Sequence, residues 1–499
     1  MKHNKITLSL TAILSLTTLE AYDMNSVGYK ATGMGGAGVA SSRGSLATYY
    51  NPALIGVSDY TAEFSLNLGV GLRDNKLLTN IDKLSNLELT DTLGRIIDNA
   101  GLDGQNSEKD RDNIKESQTV LNSIPEGNGL QIAPQVSFTM QISKYFAIGA
   151  YASSDIRANM VIDKDKLQLI IKDPDEDNLY YAYYPDQDQY INKGITKETY
   201  EAKSLEYALD NNDTYLQTSA LSLAEIPLSF AYPIKTKNGT FSLGISAKAM
   251  MAETYTYAMA IDSDAGNITD DYEENKKTYS TIGVDLGMAY RERETGITLG
   301  LVGKNINKPT FETEPDENGN IESFTLDPFF RAGISVPAWN DNIEFSIDAD
   351  LQQSDTSYEG MKSQYVGGGF EFHPASWVAL RAGAMKNIAT ESIDEGFIYT
   401  AGFGFGLKWL QVDLSAQMAQ KKFTYDGEEY PKYAAVNFSI ISRWGDGYKR
   451  KVPPTTEETP KVEPKKETPK IKVLDPKTKE SIQKDAQDAQ KELDNELKS

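Results

Sequence analysis

Three groups of residues in this sequence have types and spacing that could support chemistry, and the first is a glycine pattern near the N-terminus. Gly33, Gly35 and Gly38 form Gly-x-Gly-x-x-Gly, which cradles a dinucleotide pyrophosphate where it joins a strand to a helix. No βαβ pattern surrounds these glycines here. We therefore interpret them as positions of close backbone packing, as in a segment threaded through a confined space.

The second group is an acidic run with the spacing of a calcium-binding loop. Asp173, Asp175 and Asp177 stand at the first three ligand positions. Asn178 stands where the loop needs a glycine, and Tyr184 stands where it needs a bidentate glutamate. The run disfavours a calcium site, and we predict no bound metal.

The third group consists of the two histidines, and composition limits what they can do. The 499 residues include no cysteine, and the histidines are His3 and His373, so thiol catalysis, a histidine triad and a histidine-rich metal site are all disfavoured. His373 lies in a Phe-His-Pro turn with no nucleophile motif beside it. The net charge of −22 repels phosphate backbones. We predict no enzyme, no cofactor and no nucleic-acid partner.

The N-terminus has the composition of a cleaved export signal. Lys2 and Lys5 precede a mixed apolar stretch at 6–19, and Ala21 is a small residue before a cleavage point. The apolar stretch is too short and too polar to span a bilayer. Residues 1–21 therefore predict a signal peptide that takes the chain out of the cytoplasm.

The elements that would position these residues are strands with period-two alternation. Ile282, Val284, Leu286 and Met288 alternate with small or polar residues, as in a strand that faces lipid on one side. Fourteen such stretches predict strands near 60–73, 131–142, 145–161, 219–232, 240–261, 278–291, 295–306, 326–337, 342–352, 363–373, 376–387, 396–407, 409–419 and 432–444. Their connections alternate between short and long, which favours a transmembrane barrel over a soluble sandwich or propeller.

This pattern divides the chain into five parts. They are the signal peptide, an N-terminal segment at 22–58, a barrel at 59–444 with large loops at 74–130 and 162–218, a Pro/Lys/Glu-rich linker at 445–477, and a charged helix at 478–499. The first large loop has the spacing of amphipathic helices, and the second is acidic and rich in tyrosine. The loops form either a solvated cap or a surface for a partner or glycan. The tail, expected in the periplasm, either binds a partner or is solvated.

Charged residues on the polar phase of the strands would line the lumen. They are Lys248, Asp285, Arg331, Asp348, Asp350, Arg381 and Asp413, with Glu344 among them. Facing acids and bases inside a barrel most often brace a plug, and selectivity is the alternative role. Aromatic residues near strand ends predict interfacial girdles, among them Tyr60, Tyr145, Phe146, Trp377, Trp409, Tyr433 and Trp444.

The stretch from Gly33 to Leu54 resembles the start of the fatty-acid transporter (FadL-type) superfamily of outer-membrane barrels. Later stretches beginning at Gly300, Asp327 and Ala375 are more similar to its TraF-like plasmid-transfer-operon branch, and the resemblance covers about 22–444. It implies an all-β fold, a barrel of about fourteen antiparallel strands with a hatch in the lumen. The matching hatch positions are Gly33, Gly35, Gly36, Gly38, Asn51, Pro52 and Ala53.

This resemblance implies two alternative functions in the outer membrane of a Gram-negative cell. The first is hatch-gated, porin-like passage of a hydrophobic small molecule past the hatch or through the wall. The second is a scaffold of the conjugal-transfer type, which would engage periplasmic or surface proteins through the external cap and the tail. In both cases the barrel's own partner is outer-membrane lipid.

Overall fold

A computed structural model describes residues 26–99, 107–259, 276–312, 323–445 and 476–496. The predicted signal peptide at 1–21 and nearly all of the predicted linker at 445–477 lie outside the described residues. No helix in the described part of the chain is both long and apolar enough to cross a membrane.

Fourteen antiparallel strands form a closed barrel, which confirms the predicted fold class. The strands are β1 (Ala62–Asn75), β2 (Gly129–Gln141), β3 (Phe146–Val161), β4 (Tyr215–Lys235), β5 (Gly239–Met259), β6 (Lys277–Glu292), β7 (Thr298–Lys304), β8 (Phe329–Ala338), β9 (Ile343–Asp350), β10 (Tyr365–Ala375), β11 (Val378–Asn387), β12 (Ile398–Leu407), β13 (Leu410–Ala419) and β14 (Tyr433–Trp444). Each strand pairs with its neighbour along the chain, and β14 closes the barrel on β1 with Trp444 opposite Ala62. No open edge remains in this ring.

The alternation of the sequence becomes an apolar exterior and a polar interior. On β4, Ile226 and Leu228 are 55% and 49% exposed, whereas Glu225 and Ser229 are buried. Large exposed apolar side chains recur in this way around the barrel. A wall with such an apolar exterior is stable when lipid surrounds it and unstable when water does.

The two ends of the barrel differ in their connections. At one end, here called the short-turn end, all connections between strands are short, and all four tryptophans of the chain lie at or beside strand ends there: Trp339, Trp377, Trp409 and Trp444. They form the girdle expected at a bilayer interface. The prediction for Tyr433 was wrong, because its side chain faces the lumen instead of lipid. Its hydroxyl lies 3.0 Å from Oε1 of the buried Gln417, and its ring lies under the buried Arg73.

The long loops at the other end pack into one folded cap. The first loop contains α3 (Leu77–Asn86), α4 (Leu89–Asp98) and α5 (Glu108–Ser123), and the second contains α6 (Lys197–Lys203), α7 (Leu205–Asp210), a 3-10 turn (Lys164–Lys166) and three short strands. Those strands are Ile170–Lys172, Tyr180–Tyr184 and Gln189–Ile191. Both loops contribute to one buried apolar cluster, which includes Leu93, Ile96, Leu121, Leu169 and Leu205. The cap therefore has a hydrophobic core that is built mainly from its own loops.

Three further two-stranded ribbons extend from the long-loop end. They are Thr310–Glu312 with Ser323–Thr325, Ser354–Asp355 with Lys362–Ser363, and Lys422–Tyr425 with Glu428–Pro431. A charged helix, α8 (Pro476–Glu496), is a separate unit near the C-terminus.

Residues 26–61, here called the luminal segment, precede β1 and lie inside the barrel. Their regular structure is limited to α1 (Tyr29–Gly33), α2 (Ala47–Tyr50) and a 3-10 helix (Pro52–Val57). Helix α1 contacts β11 to β14, and the 3-10 helix contacts β4 to β7. The segment therefore crosses the lumen from one wall to the other.

Candidate functional site

The Asn51-Pro52-Ala53 motif lies at the centre of the luminal segment. Asn51 is fully buried, and its Oδ1 accepts a hydrogen bond of 3.0 Å from the N–H of Ala53, which caps the 3-10 helix. Its Nδ2 donates to the carbonyl of Val39 at 3.2 Å and to the carbonyl of Met288 in β6 at 3.1 Å. One side chain thus joins two turns of the luminal segment to the barrel wall.

The wall opposite this motif is built from glycine. Gly244 and Gly287 pair across β5 and β6, and Gly300 lies on β7. A Cβ at Gly244 would stand 2.1 Å from the nitrogen of Ala53, and a Cβ at Gly287 would stand 2.0 Å from Asn51 Oδ1. A Cβ at Gly300 would stand 2.2 Å from the carbonyl oxygen of Val39. Only glycine at these three positions allows the luminal segment to approach the wall this closely.

A second close approach holds the glycine-rich stretch on the opposite wall. A Cβ at Gly367 of β10 would stand 2.0 Å from the carbonyl oxygen of Gly35. The N–H of Gly35 donates to Thr400 Oγ1 at 2.9 Å, and that hydroxyl donates to the carbonyl of Gly33 at 3.0 Å. Gly35 and Gly36 have φ of 64° and 79°, which side chains other than glycine rarely adopt.

Gly38 is another of the predicted hatch positions. It packs against the ring of Tyr50, and its N–H donates to the carboxylate of Asp348. A Cβ there would stand 2.4 Å from Tyr50. The N–H groups of Gly38 and Val39 donate to Asp348 Oδ2 at 2.7 Å and 2.8 Å. Asp348 therefore binds the backbone of the luminal segment rather than another side chain of the predicted network.

The other predicted lumen residues are buried and form ion pairs. Lys248 Nζ lies 3.1 Å from Asp285 Oδ1, Arg331 Nε lies 2.5 Å from Asp350 Oδ1, and Arg381 binds Asp413. The structure thus brings six of the seven predicted residues together in pairs. They brace the wall of the lumen at three separate places.

Several charged partners escaped the sequence prediction although the alternation of their strands places them inside. Glu225 and Lys304 join the first pair, with Glu225 Oε1 2.8 Å from Lys248 Nζ and Lys304 Nζ 3.6 Å from Asp285 Oδ2. Lys304 also donates to the carbonyl of Tyr49 at 2.7 Å. The same period-two rule that selected Lys248 also selects these two residues.

The luminal segment has charges of its own at the short-turn end. Lys30 Nζ lies 2.8 Å from Glu344 Oε2, and Arg43 Nη1 lies 3.0 Å from Glu344 Oε1. Asp59 Oδ1 lies 2.5 Å from Arg291 Nη1 of β6. Burial raises the pKa of Asp59, but the guanidinium groups of Arg291 and Arg43 outweigh that effect, so the pKa is lowered overall. These pairs attach the segment to β6 and β9.

The luminal segment separates two cavities. On the short-turn side lies a polar cavity of about 250 Å³, lined by Lys30 and Arg43 of the segment and by Glu344, Glu371 and His373 of the wall. On the long-loop side, a smaller cavity of about 30 Å³ touches Gly35 and Gly36. The segment fills the cross-section between them.

The outer part of the lumen is apolar on one side. Leu223, Met250 and Tyr279 face inward near the long-loop ends of β4 to β6, and Phe311 and Leu326 from the connection after β7 pack against them. The rest of the wall at this end is ionic, because Arg73 pairs with Glu395 and Arg331 pairs with Asp350 there.

The remaining chemical candidates have structural partners. His373 Nε2 lies 3.1 Å from Glu371 Oε1, and its Nδ1 lies 3.2 Å from the carbonyl oxygen of Val378. Asp173 Oδ1 accepts hydrogen bonds from the N–H groups of Asp175 and Glu176, whereas Asp177 pairs with Lys172. Among the residues that the structure describes, no cluster of Asp, Glu or His could hold a metal ion.

A closed antiparallel barrel with an apolar exterior and a plugged polar lumen defines a transmembrane β-barrel of the outer-membrane type. The profile of the family described as F plasmid transfer operon, TraF, protein matches residues 48–351. The chain belongs to this family, and the predicted TraF-like membership is confirmed.

Solved structures that align with the chain are distant in sequence. The toluene transporter TbuX of Ralstonia pickettii is 16% identical, with a TM-score of 0.42 over 85% of this chain and 99% of its own. The toluene transporter TodX of P. putida is 13% identical, with a TM-score of 0.42 over 86% of this chain and 99% of its own. The monoaromatic hydrocarbon channel CymD is 12% identical, with a TM-score of 0.44 over 86% of this chain and 100% of its own. No curated protein matches the chain.

Proposed function

We propose that this protein is an outer-membrane channel in which the luminal segment acts as a hatch for small hydrophobic molecules. The observation that carries this proposal is the position of residues 26–61 between two cavities that lie on opposite sides of it. The segment contains helices but no strand, so it can move without opening the barrel. Apart from the peptide chain that connects it to β1, the segment is attached to the barrel only by noncovalent contacts, because the chain has no cysteine and therefore no disulfide.

The apolar cluster in the outer lumen supports a hydrophobic substrate. Leu223, Met250 and Phe311 are packed there in a buried apolar cluster, and apolar side chains of this kind line most small-molecule sites. The ionic region beyond the hatch would not retain it, because apolar groups gain nothing from burial against charges. Asn51 would fix the closed state through its bonds to Val39 and Met288.

The orientation follows from the general build of such barrels, whose short turns face the periplasm and whose long loops face outward. In this orientation the cap lies outside the cell, and the tail from Gly445 onward begins in the periplasm. The signal peptide predicted at 1–21 would bring the chain to that side.

A disulfide between the hatch and the wall tests the proposal. Because the chain has no cysteine, two introduced cysteines can pair only with each other within the protein. Ser45 Oγ of the luminal segment lies 3.1 Å from Ser65 Oγ of β1, a separation that suits a disulfide between replacing cysteines. The double variant Ser45→Cys, Ser65→Cys should take up 1-N-phenylnaphthylamine into vesicles when reduced and lose that uptake when oxidised.

The matched control places a disulfide within the wall alone. Ser229 Oγ of β4 lies 2.6 Å from Ser246 Oγ of β5, so Ser229→Cys, Ser246→Cys locks two strands and leaves the luminal segment untethered. Oxidation of this variant should not change uptake. Equal uptake by the oxidised and reduced forms of the first variant would rule out a moving hatch.

The folded cap favours a second candidate, a scaffold of the conjugal-transfer type. A channel mouth needs no hydrophobic core of its own, yet both large loops of this chain share one. This candidate predicts that deleting residues 446–499 removes partner binding while probe uptake stays normal. Loss of uptake with unchanged partner binding would exclude it.

A further inference from the structure

One lysine at the end of β7 joins the barrel wall to the luminal segment. Lys304 is the last residue of β7 and is 1% exposed. Its Nζ donates to the carbonyl of Tyr49 at 2.7 Å and lies 4.3 Å from the centre of the ring of the same tyrosine. A buried ammonium group needs partners of this kind, because it has given up its hydration. Lys304 therefore holds α2 of the luminal segment against β7.

The next residue, Asn305, fixes the position of this lysine. It is fully buried and leaves the strand in the left-handed conformation, with a φ of 53°. Its N–H donates to Asp285 Oδ1 at 2.9 Å, and its Oδ1 accepts a hydrogen bond of 2.7 Å from Lys248 Nζ. The second carboxylate oxygen of Asp285 lies 3.6 Å from Lys304 Nζ. Because one carboxylate binds both residues, a shift of Asn305 changes the position of Lys304.

Beyond Asn305 the chain follows β6 and then enters the outer lumen. The N–H of Ile306 donates to the carbonyl of Val284 at 2.9 Å. Phe311 is fully buried in the apolar cluster of the outer lumen, where its ring stacks on Phe324 with 4.6 Å between the ring centres. The described members of this cluster belong to the wall or to the connection after β7. A movement of Phe311 would therefore reach the luminal segment through the turn that contains Asn305.

We propose that Lys304 is a positioning residue that couples the outer lumen to the luminal segment, an inference that rests on the proposed channel function. A small hydrophobic molecule that enters the apolar cluster displaces Phe311 and, with it, the turn after β7. Asn305 then leaves Asp285, and the carboxylate no longer holds Lys304 beside Tyr49. The luminal segment is released when a molecule occupies the outer lumen and stays closed at other times.

Labelling of a buried cysteine in the luminal segment tests this coupling without measuring transport. Ser45 is fully buried, and Ser45→Cys gives the full chain its one thiol, because the sequence has no cysteine. In this background Phe311→Ala should accelerate labelling by a maleimide about tenfold. Phe423→Ala is the matched control, because Phe423 is also buried but lies in the ribbon strand Lys422–Tyr425. It should leave the rate unchanged, and equal rates for the two alanine variants would overturn the proposal.

A double-mutant cycle in the same background tests Lys304 itself. Lys304→Met removes the bond to Tyr49 and should label about tenfold faster, and Phe311→Ala should then add nothing to the rate. Additive effects would show that the coupling follows another path, and the role of Lys304 would be wrong. Asn305→Gly keeps the left-handed backbone but removes the bond to Lys248, so it provides the test if Lys304→Met does not fold. An unchanged labelling rate in Asn305→Gly would also overturn the proposal.

The trigger is tested with 1-N-phenylnaphthylamine as the hydrophobic molecule. At saturating concentration it should accelerate the labelling of Ser45→Cys about tenfold, and it should have no effect once Lys304→Met is present. Uptake of the same probe into vesicles is measured separately. Uptake with an unchanged labelling rate would overturn this inference and leave transport standing. Faster labelling without uptake would support the coupling and contradict the channel function.

Discussion

The luminal segment and the external cap are both additions to the same barrel, but they are stabilised in different ways. The cap buries Ile96, Leu121 and Leu205 in a core built mainly from its own loops, to which Met160 of β3 also contributes. The luminal segment buries its apolar side chains against residues of the wall, and it also presents its backbone to wall glycines and its charges to wall charges. Its conformation therefore depends on the barrel, whereas that of the cap depends mainly on its own packing.

This difference matches what each region is proposed to do. A hatch that is held by many specific polar contacts has one defined closed state, and losing a few of those contacts releases it. A cap with a hydrophobic core keeps its shape through the burial of apolar area, which does not switch in this way. Substitutions of similar size should therefore have different consequences in the two regions.

The largest expected effect is from breaking the ion pairs of the luminal segment. Arg43→Met leaves Glu344 and Asp59 without a guanidinium that lies 3.0 Å and 3.2 Å from them. Each carboxylate then keeps a single cation, Lys30 for Glu344 and Arg291 for Asp59. Breaking a buried ion pair costs about 3 kcal/mol at the lower end of its range, so the segment should detach while the barrel stays folded. Trypsin cleavage at Lys30 in the heat-modifiable barrel measures this release.

An ion pair in the cap provides the matched control. Lys115 Nζ lies 3.1 Å from Asp112 and 3.3 Å from Asp188, all of them partly exposed. Lys115→Met should change the free energy of unfolding by less than about 1 kcal/mol. If Arg43→Met were as resistant to trypsin as Lys115→Met, the claim that wall charges hold the luminal segment in place would be wrong.

The reverse test is a cavity in the cap. Ile96 is fully buried there, and Ile96→Ala should destabilise the cap by about 3 kcal/mol through lost burial and an unfilled cavity. Hydrogen exchange should rise across α3 to α5 and remain unchanged at Gly33 to Gly38. Faster exchange in the luminal segment would show that cap and segment are one cooperative unit.

Two glycine substitutions, one in the wall and one in the cap, test the same comparison with smaller expected changes in the free energy of unfolding. Gly287→Ala forces Asn51 to move, because the new Cβ would meet its Oδ1 at 2.0 Å, and overpacking of this kind costs about 1–3 kcal/mol. Gly94 lies within α4 with nothing within 4 Å of a Cβ, so Gly94→Ala should instead stabilise the cap by about 1 kcal/mol. Urea unfolding measures both changes, and equal signs would contradict the contrast.

Sequence alone predicted the barrel because the residue pattern of each strand indicates that strand without reference to its partners. The alternation of Ile282, Val284, Leu286 and Met288 is a local property, and lipid on one side enforces it independently of partners. For the fourteen barrel strands, the differences are confined to the strand ends. Strand β7 was expected at 295–306 and spans Thr298–Lys304, followed by Asn305 with a φ of 53°. Boundaries depend on such single residues, which periodicity does not register.

The attachment of the luminal segment could not be predicted in the same way. Arg43 and Glu344 are 301 positions apart, and nothing in either local sequence indicates the other. Gly287 occupies the small phase of a strand, which is typical of many barrel positions. Only the approach of Asn51 makes that glycine necessary, and this approach is a property of the folded chain.

The smallest expected effect is a pH dependence of the cap. Glu206 is buried, and its Oε2 accepts a hydrogen bond of 2.7 Å from the N–H of Lys172. Burial raises the pKa of Glu206 from 4.5 to about 7, so the folded cap prefers the neutral acid. The stabilisation this gives is complete below the unfolded pKa and is lost as the pH rises through 7.

The cap should therefore be less stable at pH 8 than at pH 5, by about 1 kcal/mol, and Glu206→Gln should remove that difference because glutamine stays neutral. Hydrogen exchange of α7 at the two pH values measures it. Asp59, the one carboxylate of the luminal segment, has a lowered pKa and keeps its charge over this range, so it does not contribute to the difference in the cap. A difference between the two pH values that persists in Glu206→Gln would mean that another group titrates, and the assignment to Glu206 would fail.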